Sequence, residues 1–190
     1  MPATRMQAQE RREQLLDATK AIVAERGFHA VSIEAVARQA GITRPIVYGH
    51  FHDLQGLLEA LVERETARAL SQLDIPQEIH GDPREALLSS LRTYLEAVRD
   101  DPATWRLVLM PPEGAPAILH DLIARGRAAV LDQLARAIGP GLESPDPELF
   151  AHTLSAVSDE GARLLLTDPE QYPVERIVRF AGWLMAELSP

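Results

Sequence analysis

Cysteine is absent from the 190 residues, which excludes disulfides and thiolate metal sites. No apolar run approaches the roughly 18 residues that a helix needs to cross a bilayer. The opening MPATRMQAQERREQ is polar and lacks the apolar centre of a secretory signal. Together these absences predict a cytoplasmic chain with no membrane partner. Period-2 alternation is missing as well, so strands are not expected. Neither Gly-x-Gly-x-x-Gly nor a Walker pattern occurs, which removes the usual phosphate-cradling loops. Ser158-Asp159-Glu160 has no Gly-x-Ser-x-Gly elbow around it and no second motif to supply a base. His50 and His52 form a His-x-His pair, but structural zinc takes four ligands. His80, His120 and His152 stand alone. The chain therefore reads as a non-enzyme without catalytic residues, metal or cofactor.

What is present is an ordinary globular composition, 46% hydrophobic and 25% charged, in a length suited to one large domain or a small one joined to a larger. The net charge of −9 argues at first against a nucleic-acid partner. Its distribution does not. Residues 1–52 carry seven Lys/Arg against five Asp/Glu, and the remainder carries 12 against 23. Such asymmetry suggests different partners for the two parts, because a local basic patch can attract phosphates while an acidic body limits indiscriminate binding.

Nearly every segment has helical periodicity. A first helix over about 9–26 buries Leu15, Ala18 and Ile22, and Gly27 follows it as a residue free to take positive φ. Ser32 is placed to cap a short helix whose Ile33, Val36, Ala37 and Ala40 share one face. Gly41 ends it, Ile42 plugs the turn and Thr43 is placed to cap the next helix. Pro45 is tolerated in that first turn, where amides have no intrahelical acceptor. Val47 and Phe51 face inward there. Asp53 caps a fourth helix marked by Leu54, Leu57, Leu58 and Leu61, continuing to about Leu73. A linker follows from Ile75-Pro76 to Pro83. A later helix is marked by Leu87, Leu91, Tyr94, Leu95 and Val98, and others are expected around 105–110, 116–138, 147–167 and 173–188, with a Pro/Gly-rich loop over 139–147.

Two short helices joined by a tight Gly-containing turn describe a helix-turn-helix. The same spacing also fits adjacent core helices of an all-α bundle, and an enzyme or a helical protein–protein adaptor remain the other classes. The run from Val31 to Phe51, with its Ala40-Gly41-Ile42-Thr43 turn and Tyr48-Gly49-His50-Phe51 ending before Leu57-Leu58, resembles the TetR family signature. The leading helix, with Leu16, Ala18, Ala24 and Gly27-Phe28, resembles it too. This likeness covers residues 9–62.

The resemblance implies an all-α fold: an N-terminal three-helix helix-turn-helix DNA-binding domain over 1–53, then a larger helical ligand-binding and dimerisation domain over 54–190. It implies a regulator, expected to be a repressor, that binds palindromic double-stranded operator DNA as a homodimer and is released by a small-molecule effector. By position, Thr43, Arg44 and Pro45 match the start of the recognition helix, with Arg44 the base reader through its two-pronged guanidinium. Tyr48, His50 and Ser32 match phosphate- or sugar-contacting positions. Two departures stand out. Leu54 occupies a position where many members carry a phosphate-pairing Lys, and Gly49 one where a larger residue is usual.

By the same resemblance the later helices enclose an effector pocket, for which Tyr94, Trp105, Leu109 and Met110 offer aromatic and flexible apolar surface. Arg127 and Asp159 lie in otherwise apolar helices and are placed to orient a polar group. Aromatic and Met residues at this spacing equally describe core. In the final helix Val174, Ile177, Val178, Ala181, Leu184, Met185 and Leu188 recur at steps of three and four, widened by Phe180 and Trp183. Phe150, Leu154, Val157, Gly161 and Leu164 repeat that spacing one helix earlier. These broad faces predict a dimer interface through Val157, Gly161, Ile177, Ala181 and Leu184, and the resemblance implies a four-helix bundle there.

Overall fold

The computed structural model describes residues 8–73, 81–141 and 144–187. Among them the regular structure is all helical: α1 (Ala8–Arg26), a single 3-10 turn (Phe28–Ala30), α2 (Ile33–Ala40), α3 (Arg44–Phe51), α4 (Leu54–Ser71), α5 (Pro83–Asp100), α6 (Pro102–Leu109), α7 (Ala117–Gly141), α8 (Pro147–Thr167) and α9 (Val174–Glu187). Most of the linker expected after Leu73, with its Ile75-Pro76, and also His80 and Leu188, lie outside the described residues. Two boundaries differ from expectation: α6 opens early, at Pro102 behind its Asp101 cap, and α7 ends late. α7 carries on through Gly139 and Pro140 to Gly141, where a loop was expected.

The chain forms two compact units, one from residues up to Thr66 with Pro111–Leu122, the other from Ala67–Met110 with residues from Ile123 onward. In the first, α1, α2 and α3 pack on one another around Leu15, Leu16, Ile22, Val36, Val47 and Phe51, all buried. Beside this core lies an ion cluster that ties α1 to α4. Glu65 of α4 is fully buried, and its carboxylate meets Lys20 of α1 at 2.8 Å and Arg64 at 2.7 Å. Arg64 reaches on to Glu13 at 3.0 Å and Asp17 at 2.9 Å. Burial alone would lower the Arg64 pKa, but hydrogen bonds to Glu13 and Glu65 and the nearby carboxylates leave it above its ordinary value.

In the second unit α5 packs against both α8 and α9, and α6 against α8. Leu91, Leu95 and Val98 of α5 meet Ala162, Leu165 and Leu166 of α8 and Val174, Val178 and Ala181 of α9. Three of its helices open on Asp-Pro: the carboxylates of Asp82, Asp101 and Asp146 accept from the amides of Arg84, Thr104 and Leu149. An acidic cap answers the exposed amides and the positive end of the helix, and the proline behind it is already set at helical φ. α6 and α8 also close each other's C-terminal ends. Arg106 donates to the Leu166 carbonyl at 2.8 Å and Arg163 to that of Leu109 at 3.4 Å.

Candidate nucleic-acid interface

The turn between α2 and α3 follows from its residues. Ser32 sits in extended backbone and its hydroxyl accepts from the Ala35 amide at 3.1 Å. Gly41 ends α2 at φ 68°, a left-handed conformation that favours glycine, and its amide and that of Ile42 return to the carbonyls of Arg38 and Ala37. Ile42 is half-buried in the turn. Thr43 occupies the N-cap position of α3, but its hydroxyl makes no capping bond, contrary to expectation; its carbonyl instead takes the Ile46 amide at 3.0 Å. The side chain therefore stays exposed beside Arg44 and Pro45.

Helical spacing then sorts α3 into two faces. Val47 and Phe51, four residues apart, are 0% and 5% exposed, while Tyr48 is 51% and Ile46 42% exposed. Arg44 and Tyr48, also four apart, share the outward side. His50 is half-buried and its ring lies tilted on Phe51 at 6.3 Å. The arrangement brings Thr43, Arg44, Pro45 and Tyr48 onto one exposed surface, with Ser32 exposed at the start of α2. Such a surface can donate to phosphates and, through Arg44, to base edges. Ile46, which the spacing also turns toward solvent but which was not among the expected DNA-contacting residues, is an exposed neighbour. A Cβ built on Gly49 meets nothing within 4 Å, so packing does not require the glycine.

In the second unit, four of the expected effector residues come together. The Tyr94 hydroxyl donates to Asp159 Oδ1 at 3.1 Å, and Arg127 pairs with Asp159 Oδ2 at 2.6 Å. Tyr94 stands edge-on to Trp105 with ring centroids 5.1 Å apart. Trp105 donates from Nε1 to Gln72 at 2.9 Å, a partner that spacing could not reveal because it lies in α4's trailing turn. Burial, then the charge and hydrogen bond of Asp159, hold the Tyr94 phenol well above its ordinary pKa. Leu109 is buried in the same core, whereas Met110 is 43% exposed past the end of α6.

The expected dimerisation residues divide. Val157 is 47% exposed, and the flanking Phe180 and Trp183 are 59% and 54% exposed, their rings tilted together at 5.6 Å. Ile177 and Leu184 are half-buried. Gly161 and Ala181 are buried within the chain. A Cβ on Gly161 would lie 2.9 Å from Cγ2 of Ile177, so its small size serves the crossing of α8 on α9 inside one subunit.

Residues 15–61 match the family described as bacterial regulatory proteins, tetR family. The HTH-type transcriptional activator FasR of Mycolicibacterium smegmatis is 27% identical over 185 residues, spanning 93% of this chain and 84% of that protein. An uncharacterised HTH-type transcriptional regulator of Mycobacterium tuberculosis is 31% identical over 137 residues, 71% of this chain and 64% of its own length. The chain belongs to the TetR family of transcriptional regulators. Solved TetR-type structures share its fold. A TetR-like regulator from Rhodococcus sp. RHA1 superposes with a TM-score of 0.76 at 22% identity, covering 97% of this chain and all of that one. SmeT, described as the repressor of a Stenotrophomonas maltophilia efflux pump and solved as a triclosan complex, gives 0.74 at 24% identity over 93% of this chain and 90% of its own. The matched segment of the TetR family contains α2, α3 and the turn between them. Among the described residues no helix is long and apolar enough to cross a membrane.

Proposed function

We propose that this TetR-type regulator binds palindromic operator DNA as a homodimer, represses transcription there, and is released by a small-molecule effector. The observation that carries the DNA half is the outward face of α3. Arg44 and Tyr48 stand exposed while Val47 and Phe51 fix the helix from behind. Thr43 and Pro45 open the recognition helix on either side of Arg44, and Ser32, Tyr48 and His50 serve as positioning contacts to phosphate and sugar. These reading residues fall within 1–53, and the effector and dimer residues within 54–190.

For the effector, Tyr94 and Trp105 supply aromatic surface and the Asp159–Arg127 pair a polar anchor. That SmeT was solved with triclosan supports a small, largely apolar molecule as the class. An effector weakens operator binding by the same factor that operator weakens effector binding. For the dimer, exposed Val157, Phe180 and Trp183 supply apolar surface of the kind that subunit interfaces cover. A second reading, activation in place of repression, is favoured by FasR being named an activator.

Selection from a random DNA library tests the reading. The expected result is enrichment of a two-fold-symmetric sequence, with Arg44→Ala weakening that duplex by about 1–3 kcal/mol and relaxing preference at one base pair in each half. Failure to enrich any sequence would overturn it. An equal loss on all sequences would move Arg44 from base to phosphate.

A further inference from the structure

The C-terminal end of a helix presents carbonyls without intrahelical donors and the negative end of the dipole. α2 and α3 are each only 8 residues long, so they have few turns of their own to hold those ends. Both receive a donor from α1. Gln14 donates through Nε2 to the Ala40 carbonyl at 3.3 Å, and Arg12 through a terminal nitrogen to the His50 carbonyl at 3.4 Å. The Arg12 guanidinium also lies over the Phe51 ring, 4.5 Å from its centroid. It thus grips α3 twice, by a charge-assisted hydrogen bond to the backbone and by a cation–π contact to its inward aromatic.

The rest of that helix end is under tension. His52 follows with φ 58° and ψ −54°, the rare γ-turn conformation, and the Asp53 amide bends back to the Phe51 carbonyl at 2.5 Å. The chain past α3 therefore leaves in a strained turn, directly after the residues that Arg12 holds.

We infer that Arg12 is a positioning residue for the recognition helix, setting through Phe51 and the His50 carbonyl the angle at which Arg44 and Tyr48 are presented. This rests on the DNA-binding reading for its consequence but not for its structural content. Arg12 touches no base in this account, so its loss degrades discrimination rather than charge attraction.

The test uses the full-length protein with Arg12→Met, which keeps an apolar stem near Phe51, and Arg12→Lys, which restores a cation and a donor. In the free protein, amide hydrogen exchange of Val47–Phe51 is expected to quicken in Arg12→Met and to return most of the way in Arg12→Lys, with α1 and α2 amides unchanged. On DNA, the duplex most enriched by the wild-type protein and a scrambled duplex serve as probes. Arg12→Met should lower the ratio of specific to non-specific affinity about tenfold while the dependence of binding on salt keeps its slope. Unchanged exchange in α3 overturns the inference whether or not DNA binds. A uniform loss on both duplexes with a shallower salt slope overturns it too, since that marks a direct phosphate contact. If nothing is enriched, the DNA-binding reading fails and the exchange result alone decides the clamp.

Discussion

Gly49 is the residue in α3 with least to hold it in place. Glycine in a helix interior costs roughly 0.5–1 kcal/mol relative to alanine, because its unfolded backbone has more freedom to lose. Nothing within 4 Å obstructs a Cβ there. Gly49→Ala should therefore raise the free energy of unfolding by about 0.5–1 kcal/mol, measured by urea denaturation, and a lower value would mean that α3 frays differently from the geometry described. Gly56 behaves in the opposite way, since a Cβ there would approach the Phe51 carbonyl oxygen to 2.7 Å. At this scale the sequence was informative about capping and poor about partners. Ser32, Gly41 and Asp53 do what their chemistry predicts, because caps act over three or four residues. Arg12 reaches His50 across 38 positions, and no local pattern encodes that.

Among the elements, α8 and α9 show where periodicity stops being decisive. Both carry broad apolar faces, and spacing cannot say which part of a broad face is spent inside the subunit. The structure spends Gly161, Ala162, Val178 and Ala181 there and leaves Val157, Phe180 and Trp183 exposed. Gly161→Arg should consequently lower the thermal midpoint, since overpacking at a 2.9 Å approach to Ile177 costs about 1–3 kcal/mol or more. Circular dichroism melting checks this, and an unchanged midpoint beside a dissociated protein would return Gly161 to a subunit interface. The α5–α8 tie gives a pH prediction. The Tyr94 phenol is held above its ordinary value of 10.0 by burial and by Asp159, so in alkaline solution the unfolded chain releases that proton first. The stability from this group is complete below the ordinary value and is lost as pH rises beyond it. Wild-type protein should lose stability more steeply than Tyr94→Phe above about pH 10, by urea midpoints across that range; parallel curves would show that the buried phenol ionises freely.

For the whole molecule, charge and exposed apolar surface describe two different demands. Residues 1–52 are slightly net basic in a chain of net charge −9, while α9 exposes the aromatic rings of Phe180 and Trp183 and α8 exposes Val157. The all-helical class and the helix-turn-helix were legible because their signals are local. A subunit contact is proposed on an excess of apolar face alone. Phe180→Asp together with Trp183→Asp should leave helix content intact and shift sedimentation at micromolar concentration from dimer to monomer, because two charges per subunit would be repeated across a two-fold contact. A doubly substituted protein that still sediments as a dimer would place the interface elsewhere.

Footprinting of the wild-type protein on its most enriched duplex tests the central claim most directly. Two reading heads related by a two-fold axis predict two protected patches related by a dyad in the DNA, their centres about one helical turn apart, roughly 34–36 Å. A single patch, or protection spread evenly along the duplex without a dyad, would contradict the account.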